Sequence, residues 1–157
     1  MRPELLFPLF KSTSSLPGIG PRLAKLIEKL AGSNLIDLCW HLPSAIIDRR
    51  YSPKVAQALP SVVATMTLSI DKHVRPPNKR LPYKVFCSDD TRKITLVFFH
   101  AHEDSLRKGL PEGEIRVVSG KVEKFGKELQ ITHPYTETVD RIAKLQTVEP
   151  IYPLTTG

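Results

Sequence analysis

The apolar residues of this chain change their spacing near residue 61, and that change most restricts what the chain can fold into. Upstream they recur every three or four residues, which is the spacing of one helix face, at Leu23, Leu26, Ile27 and Leu30. Downstream they alternate with polar residues, as in a half-buried strand, at Ala64, Met66, Leu68 and Ile70. The sequence therefore predicts a helical N-terminal segment followed by a β-domain.

Four more strands follow the first one, and a short helix separates two of them. Residues 82–88 and 93–100 flank the turn-like "DDTR", and "AHEDSLRKGL" predicts a helix. The stretches "EIRVVSGKVEKF" and "KELQITHP" then predict a hairpin with a tight turn at Gly126. This order matches the OB-fold, a Greek-key barrel that binds oligonucleotides. The predicted fold class is mainly β with α: a five-stranded OB-fold barrel preceded by a small helical segment.

Glycine and proline divide the chain into three predicted parts. A helix-turn-helix-like segment with its connector occupies residues 1–60, the barrel 61–140, and an exit linker 141–157. In the first part we expect a short helix from Glu4 to Lys11, a helix beginning at Pro21 and stopped by Gly32, and a second helix "LIDLCWHL". The extended, proline-containing "TVEPIYPLTTG" indicates a piece of a longer protein.

The net charge of +7 over 157 residues favours a polyanionic partner, nucleic acid before an acidic membrane surface. No apolar run approaches the roughly 20 residues of a membrane span, and the N-terminal run lacks a signal-peptide cleavage site. Cys39 and Cys87 have neither metal-ligand spacing nor a disulfide framework, which fits a reducing compartment. We therefore expect a cytoplasmic protein without a membrane partner.

Two groups of basic residues are candidates for contact with phosphates. The loop predicted between the first two strands is free of acids after Asp71 and carries Lys72, Arg75, Lys79, Arg80 and Lys84. A possible second patch on the later hairpin consists of Lys121, Lys124 and Lys127. Such clusters attract phosphates in a salt-dependent way. The alternative is a solvated, mobile loop, and the barrel context favours nucleic acid.

The turn Gly18-Ile19-Gly20 opens a helix, where backbone N–H groups can hold a phosphate with help from Arg22 and Lys25. No Gly-Lys-Ser/Thr follows, so the turn is not a nucleotide P-loop. A clamp on the DNA backbone and a simple helix-starting turn both fit this spacing.

The stretch "TLVFFHAHED" (95–104) carries two phenylalanines with different predicted roles. Strand alternation places Ile94, Leu96 and Phe98 on the core face and sends Phe99 outward. An exposed ring on a basic barrel can stack on a nucleobase, which contributes about 1–3 kcal/mol per base. The competing reading is a Phe99 covered by the N-terminal helices.

Catalytic and metal-binding constellations are weak in this sequence. His100 and His102 have metal-like spacing, but a catalytic zinc site usually needs three protein ligands, and His41, His73 and His133 are scattered. Glu103 and Asp104 fit the first turn of the short helix better. We expect no metal site and no catalytic residue, and we place Cys87 in the core.

Three stretches resemble the RecG family of ATP-dependent DNA helicases. "LPGIGPRLAKLIEKL" with "LIDLCWHLPSAIIDRRY" resembles the opening of the family, and "VSGKVEKFGKELQITHP" resembles its barrel hairpin. "VEPIYPLTTG" resembles the exit toward the motor domains. The ordered set covers nearly the whole chain.

The resemblance implies the N-terminal wedge domain of a helicase that remodels stalled replication forks and Holliday junctions in DNA repair and recombination. Phe99 matches the family aromatic that stacks on bases at the branch point, whereas the second aromatic found in some members is Glu103 here. The ATP-binding residues would lie beyond Gly157, and the chain has no Walker motif. We therefore expect no cofactor and no ATP hydrolysis in this piece, with ATP and Mg²⁺ in the parent's motor domains.

Three hypotheses follow from the sequence. The main one is a monomeric, nucleoid-associated wedge that binds branched DNA, namely forks and Holliday junctions, and single-stranded DNA at the branch point. The second is a general single-stranded DNA or RNA-binding OB-fold module without a branch preference. The third is a metal-dependent hydrolase centred on His100 and His102, which the scattered histidines disfavour.

Overall fold

A closed barrel of five strands forms the larger part of the molecule, described by a computed structural model over residues 3–78 and 80–154. The strands are β2 (Val63–Val74), β3 (Tyr83–Ser88), β4 (Lys93–Phe98), β5 (Ile115–Phe125) and β6 (Glu128–Thr132). Their order is β2-β3-β4-β6-β5, and β5 pairs back onto β2. The β4–β6 pair is parallel, and α3 (Glu103–Gly109) connects β4 to β5. This topology confirms the predicted OB-fold.

The inward faces of these strands supply one apolar core. On β2 the alternation places Ala64, Met66, Leu68 and Ile70 inside, each at most 1% exposed. The ladder slips between Ile70 and Lys72, which is a β-bulge, and the alternation then turns His73 inward. Because β2 continues through Val74, Lys72 is a strand residue and not part of the β2–β3 loop, and Lys84 likewise lies on β3. The predicted loop was therefore too long at its N-terminal end, whereas the strand predicted over 82–88, which holds Lys84, is confirmed as β3.

Several shorter elements complete the described structure. The strand β1 (Ala45–Asp48) pairs with β8 (Val148–Ile151), and β7 (Tyr135–Glu137) extends the barrel sheet beside β5. The barrel unit also contains two 3₁₀ segments, Val55–Gln57 and Val139–Arg141. The helix α4 (Ile142–Leu145) directly follows the second of them. The sequence predicted none of these elements: β1 lies in the stretch predicted as a connector, β7 follows the last predicted strand, and α4 and β8 lie in the predicted exit linker. Three or four residues are too few to show the period of a strand or a helix.

The N-terminal region contains α1 (Pro21–Leu30) and α2 (Leu35–Cys39), with 3₁₀ segments Glu4–Phe10 and Thr13–Ser15 before them. Pro21 stands at the first position of α1, as predicted. Gly32 has φ +136°, and a Cβ there would overlap the Asp37 carboxylate, so this helix stop requires glycine. That carboxylate accepts a hydrogen bond from the Asn34 amide at 2.9 Å and caps α2. The second helix ends three residues earlier than expected.

The chain forms two compact units: Met1–Ile46 with Pro150–Gly157, and Ile47–Glu149. The domain boundaries 1–60, 61–140 and 141–157 stay a prediction. Within the described residues, no helix has the length and apolar character needed to cross a membrane.

Candidate nucleic-acid interface

Phe99 follows the last residue of β4 and lies 45% exposed, whereas Phe98 is 8% exposed in the core. The predicted core set of Ile94, Leu96 and Phe98 is confirmed, because all three belong to the buried cluster. The outward-facing Val97 is also nearly buried, at 4%. The exposure of Phe99 is therefore a property of the strand end and not of the whole outer face of β4.

His133 anchors Phe99 from the neighbouring strand end. The Phe99 amide donates a hydrogen bond to Nε2 of His133 at 3.3 Å, and the two rings lie 5.9 Å apart at 41°. The His133 amide in turn donates to the Val97 carbonyl at 2.9 Å. In this hydrogen bond Nε2 is the acceptor, as in the tautomer that carries its proton on Nδ1. The contact holds the Phe99 backbone while leaving much of its ring open to solvent.

The turn that follows Phe99 has an uncommon backbone. His100 has φ +53° and His133 has φ +46°, a left-handed conformation that non-glycine residues adopt rarely. These two residues lie where the parallel strands β4 and β6 end side by side. The segments that follow β4 and β6 therefore both turn away at this point, which leaves Phe99 at the rim of the barrel. Sequence reasoning did not select His133 for this role, because a lone histidine after a strand gives no signal of its contacts.

Glu103, at the position of the family's second aromatic, forms ion pairs. It lies in the first turn of α3, 3.5 Å from Arg75 and 3.0 Å from Arg107. The Arg75 pair ties the β2–β3 loop to α3. A cleft of about 820 Å³ separates these two segments, and its lining includes Tyr83, Phe98 and His102. Glu103 therefore organises a basic loop and offers no ring for stacking.

The basic residues of the first predicted group separate by location. Arg75 and Arg80 lie exposed in the β2–β3 loop, and Lys72 and Lys84 lie exposed on β2 and β3. Lys79 lies outside the described residues. Val74 pairs with Lys84, and Lys72 pairs with Phe86, so these side chains alternate with the inward Val85. Lys72 and Lys84 therefore point away from the core, on the outside of the barrel.

Strand pairing brings part of the second basic group onto the same side. Lys84 is opposite Val97, Val97 is opposite Thr132, and Thr132 donates a hydrogen bond to Glu123 on β5. Lys121 precedes the buried Val122 and therefore also points outward. We call this side the outer face; it is formed by residues 72, 84, 86, 95, 97, 121, 123, 130 and 132, of which Thr95 and Val97 are buried by their neighbours. The sequence separated its lysines by up to 49 positions, from Lys72 to Lys121.

The other two lysines of that group, Lys124 and Lys127, lie at the end of the β5–β6 hairpin. The hairpin turns at Gly126, whose φ of +62° favours glycine. The guanidinium of Arg92 donates to the Lys127 carbonyl at 2.7 Å and so adds a third cation. Between them Phe125 is 73% exposed. Sequence reasoning missed Phe125, although its even spacing from Lys121 and Glu123, four and two residues, predicts an outward ring.

The turn predicted to hold an anion belongs to the N-terminal unit. Gly18 has φ +82° and needs glycine for that reason, whereas Gly20 has φ −79° and open space where a Cβ would be. Arg22 and Lys25 are exposed on α1. The positions are compatible with contact to a phosphate, and that contact stays a prediction.

His73 and Cys87 are the buried histidine and cysteine of the described barrel residues. Nε2 of His73 lies 2.7 Å from the Leu110 carbonyl and Nδ1 lies 3.1 Å from the Tyr83 hydroxyl, so both ring nitrogens are engaged inside the protein. Among the described residues, no three histidine, cysteine or acidic side chains are grouped so that they could hold a metal ion. Burial raises the pKa of the Cys87 thiol to about 12, and the charge of Asp71 adds to the shift. The thiol therefore stays protonated and inert.

Comparison with known proteins supplies a family for this architecture. The family model of the RecG wedge domain matches residues 15–157. Relatives named ATP-dependent DNA helicase RecG include those of Haemophilus influenzae, 29% identical over 147 residues, and Pasteurella multocida, 28% identical over 147 residues. Each alignment covers 92% of this chain and 21% of the relative. The chain thus spans about a fifth of the length of these relatives.

A solved structure of RecG bound to a three-way DNA junction has the same fold. It aligns with a TM-score of 0.70 at 22% identity, over 94% of this chain and 20% of that chain. At this identity the likeness establishes the fold, which agrees with the barrel topology.

Proposed function

The chain belongs to the RecG wedge-domain family, and from that premise we propose that it binds branched DNA and caps a base pair at the branch point with Phe99. The observation that carries the proposal is the Phe99 ring, 45% exposed at the rim of a basic barrel and anchored by His133. Because the Phe99 backbone is held before DNA arrives, less conformational entropy is lost when a base stacks on its ring.

The charges around Phe99 fit a DNA backbone on either side of that ring. Arg75 and Arg80 lie in the β2–β3 loop next to the cleft, and Lys72, Lys84 and Lys121 lie on the outer face. Lys79 belongs to the same sequence cluster. Phosphate contacts of this kind give affinity without sequence preference, and their strength falls as salt rises. The wedge would therefore recognise the shape of a branch and not its sequence.

In the intact parent protein the wedge would separate strands while motor domains pull duplex DNA, with stalled forks and Holliday junctions as substrates. The relatives' name, ATP-dependent DNA helicase, supports this larger activity. The present chain has no Walker motif, and the Gly18–Gly20 turn is not followed by the Lys-Ser/Thr that would hold phosphates and Mg²⁺. We therefore assign no ATP-dependent step to these 157 residues and place ATP and Mg²⁺ in the motor domains. We propose that the parent protein is a monomer in the cytoplasm and is associated with the nucleoid.

A comparison of three labelled DNAs of equal nucleotide number tests the proposal: a three-way fork, a linear duplex and a single strand. Fluorescence anisotropy at fixed salt gives the affinity of the chain for each. We expect the fork to bind most tightly, because it alone offers both an exposed terminal base pair and converging backbones. Equal affinity for fork and linear duplex would contradict branch recognition. Equal affinity for fork and single strand would favour the general single-strand-binding module instead.

A further inference from the structure

The exposed Phe125 lies at the opposite end of the β5–β6 ladder from Phe99. Phe125 pairs with Glu128 at the hairpin end, and the ladder then runs through β6 to His133, the residue that anchors Phe99. About six residues of β6 and its continuation separate the two rings, which corresponds to ~20 Å at ~3.3 Å per residue. The outer face therefore has an exposed aromatic ring at each end.

The surface between the two rings suits a nucleic acid backbone. Lys84 on β3 and Lys121 on β5 point outward at the two sides of this surface, and Lys72 on β2 lies beyond the half-buried Phe86. The carboxylate of Glu123 accepts hydrogen bonds from Gln130 at 3.2 Å and Thr132 at 3.0 Å, so its charge is partly satisfied within the sheet. Asp71 likewise accepts from the Ser88 hydroxyl at 2.9 Å. Lys72, Lys84 and Lys121 outnumber these two acids, so the net charge of the face stays positive.

The hairpin end itself combines a ring with cations. Arg92 is fixed against the hairpin by its 2.7 Å hydrogen bond to the Lys127 carbonyl, and Lys124 and Lys127 are exposed. Glu128, the cross-strand partner of Phe125, opposes them. The Phe125 ring is 73% exposed, so folding removes little of its apolar surface from water. A base stacked on the ring would cover that surface.

We infer that Phe125 is a second base-stacking contact, and that one single strand leaving the branch point crosses the outer face from Phe99 to the β5–β6 hairpin. This inference rests on the proposed branched-DNA binding, because it takes the strand from the branch that Phe99 caps. At ~3.4 Å per stacked nucleotide, a path of ~20 Å takes up to about six nucleotides.

Forks with one single-stranded arm of zero, three, six or nine nucleotides test the inference, with the arm placed on either strand polarity. For the unaltered chain we expect affinity to rise with arm length in one polarity and to level off near six nucleotides. Phe125→Ala should remove about fivefold to tenfold of that gain, since one base stack is lost. The same substitution should leave binding to the fork without a single-stranded arm unchanged.

Ile115→Ala is the matched control, because Ile115 is 54% exposed at the other end of the same strand. It should retain the full dependence on arm length. Glu128→Gln should increase affinity for the six-nucleotide arm, since it removes an acid beside Phe125. Circular dichroism and thermal melting check that each variant keeps the fold.

The outcomes separate this inference from the proposed function. Equal binding of fork and linear duplex by the unaltered chain overturns the proposed function, whatever Phe125 does. A fork preference without any dependence on arm length overturns only the path across the outer face, and would leave that face to a protein partner. A dependence on arm length that survives Phe125→Ala overturns the role of Phe125.

Discussion

The N-terminal unit of this molecule is richer in apolar residues than the barrel unit but buries far fewer of them. In the barrel unit, the inward residues of all five strands reach nearly complete burial, as Leu96 and Ile131 do at 0%. Among the residues described for the other unit, Thr13 is the one that is buried, and Trp40 and Leu42 are about three-quarters exposed, at 75% and 74%. A closed sheet encloses its own core, whereas two short helices cannot.

This difference in burial indicates which unit can hold a functional group in a fixed position. Phe99 is held by hydrogen bonds to a rigid strand end, and its neighbour Phe98 is packed in the core. The Gly18–Gly20 turn starts a helix none of whose residues is buried. Contacts made by the barrel should therefore be geometrically specific, and contacts made by the helical unit should depend mainly on charge.

The largest effect should come from the barrel core. Leu96→Ala removes a fully buried side chain from the middle of β4 and should lower the free energy of unfolding by about 2–5 kcal/mol. Leu23→Ala on α1 changes a side chain that is 45% exposed and should cost less than about 1 kcal/mol. Urea denaturation followed by circular dichroism measures both. Similar losses of unfolding free energy in the two variants would contradict the difference in burial between the two units.

The next largest effect concerns the hydrogen bonds of Asp89, in the turn between β3 and β4, one of which joins this turn to the segment before β2. Asp89 accepts hydrogen bonds from the Thr91 hydroxyl at 2.6 Å and from the Val55 amide at 2.8 Å. Burial acts to raise the pKa of this carboxylate, but the hydrogen bonds from Thr91 and three backbone N–H groups outweigh burial and lower the pKa to about 2. Because the unfolded pKa is near 3.9, the stabilisation is complete above that value and is lost as pH falls toward 2.

Asp89→Asn should therefore be about 1–2 kcal/mol less stable than the unaltered chain at pH 7, after allowance for solvent screening, and the two should converge near pH 2. Chemical denaturation at a series of pH values checks this. Asp104→Asn, at an exposed position of α3, should keep the pH dependence of the unaltered chain. A parallel pH dependence of the Asp89→Asn and unaltered chains would show that the carboxylate does not stabilise the barrel.

The sequence predicted the strands and the core of the barrel, but it did not predict how the residues on the surface of the barrel are arranged. Alternation in 64–70 and 94–98 predicted the core correctly, because a strand with one buried face must repeat every two residues. It did not predict His133 against Phe99, or the outward positions of Lys84 and Lys121 on strands that flank the β4–β6 pair, because these depend on which strands pair. The parallel β4–β6 pair joins segments about 35 residues apart, and no local pattern encodes that pairing.

A smaller effect should distinguish charge from geometry in DNA binding. Arg22→Ala with Lys25→Ala, on α1, should weaken fork and linear DNA about equally, by roughly twofold to fivefold, and reduce the salt dependence by about one to two phosphate contacts. Titrations at several salt concentrations measure both quantities. The matched pair Lys108→Ala with Lys144→Ala removes the same charge from exposed helical positions of the barrel unit. A loss confined to the fork would instead make the helical unit a reader of branch shape.

The smallest effect should come from His133. Asparagine tolerates the left-handed backbone at this position but removes the ring beside Phe99, so His133→Asn should weaken fork binding by about twofold to threefold. At saturating protein, a 2-aminopurine at the branch point should also be less quenched, because Phe99 stacks on it less completely. His102→Asn serves as the control. Unchanged quenching would mean that His133 does not orient Phe99.

The central claim is tested most directly by the ratio of fork to linear-duplex affinity in Phe99→Ala. Loss of one base stack is about 1–3 kcal/mol, so fork affinity should fall about fivefold to 150-fold while linear-duplex affinity stays the same. Phe7→Ala removes a ring of similar exposure, 55%, from the helical unit and should leave the ratio unchanged. A fork-to-linear ratio in Phe99→Ala equal to that of the unaltered chain would contradict the assignment of Phe99 as the wedge residue.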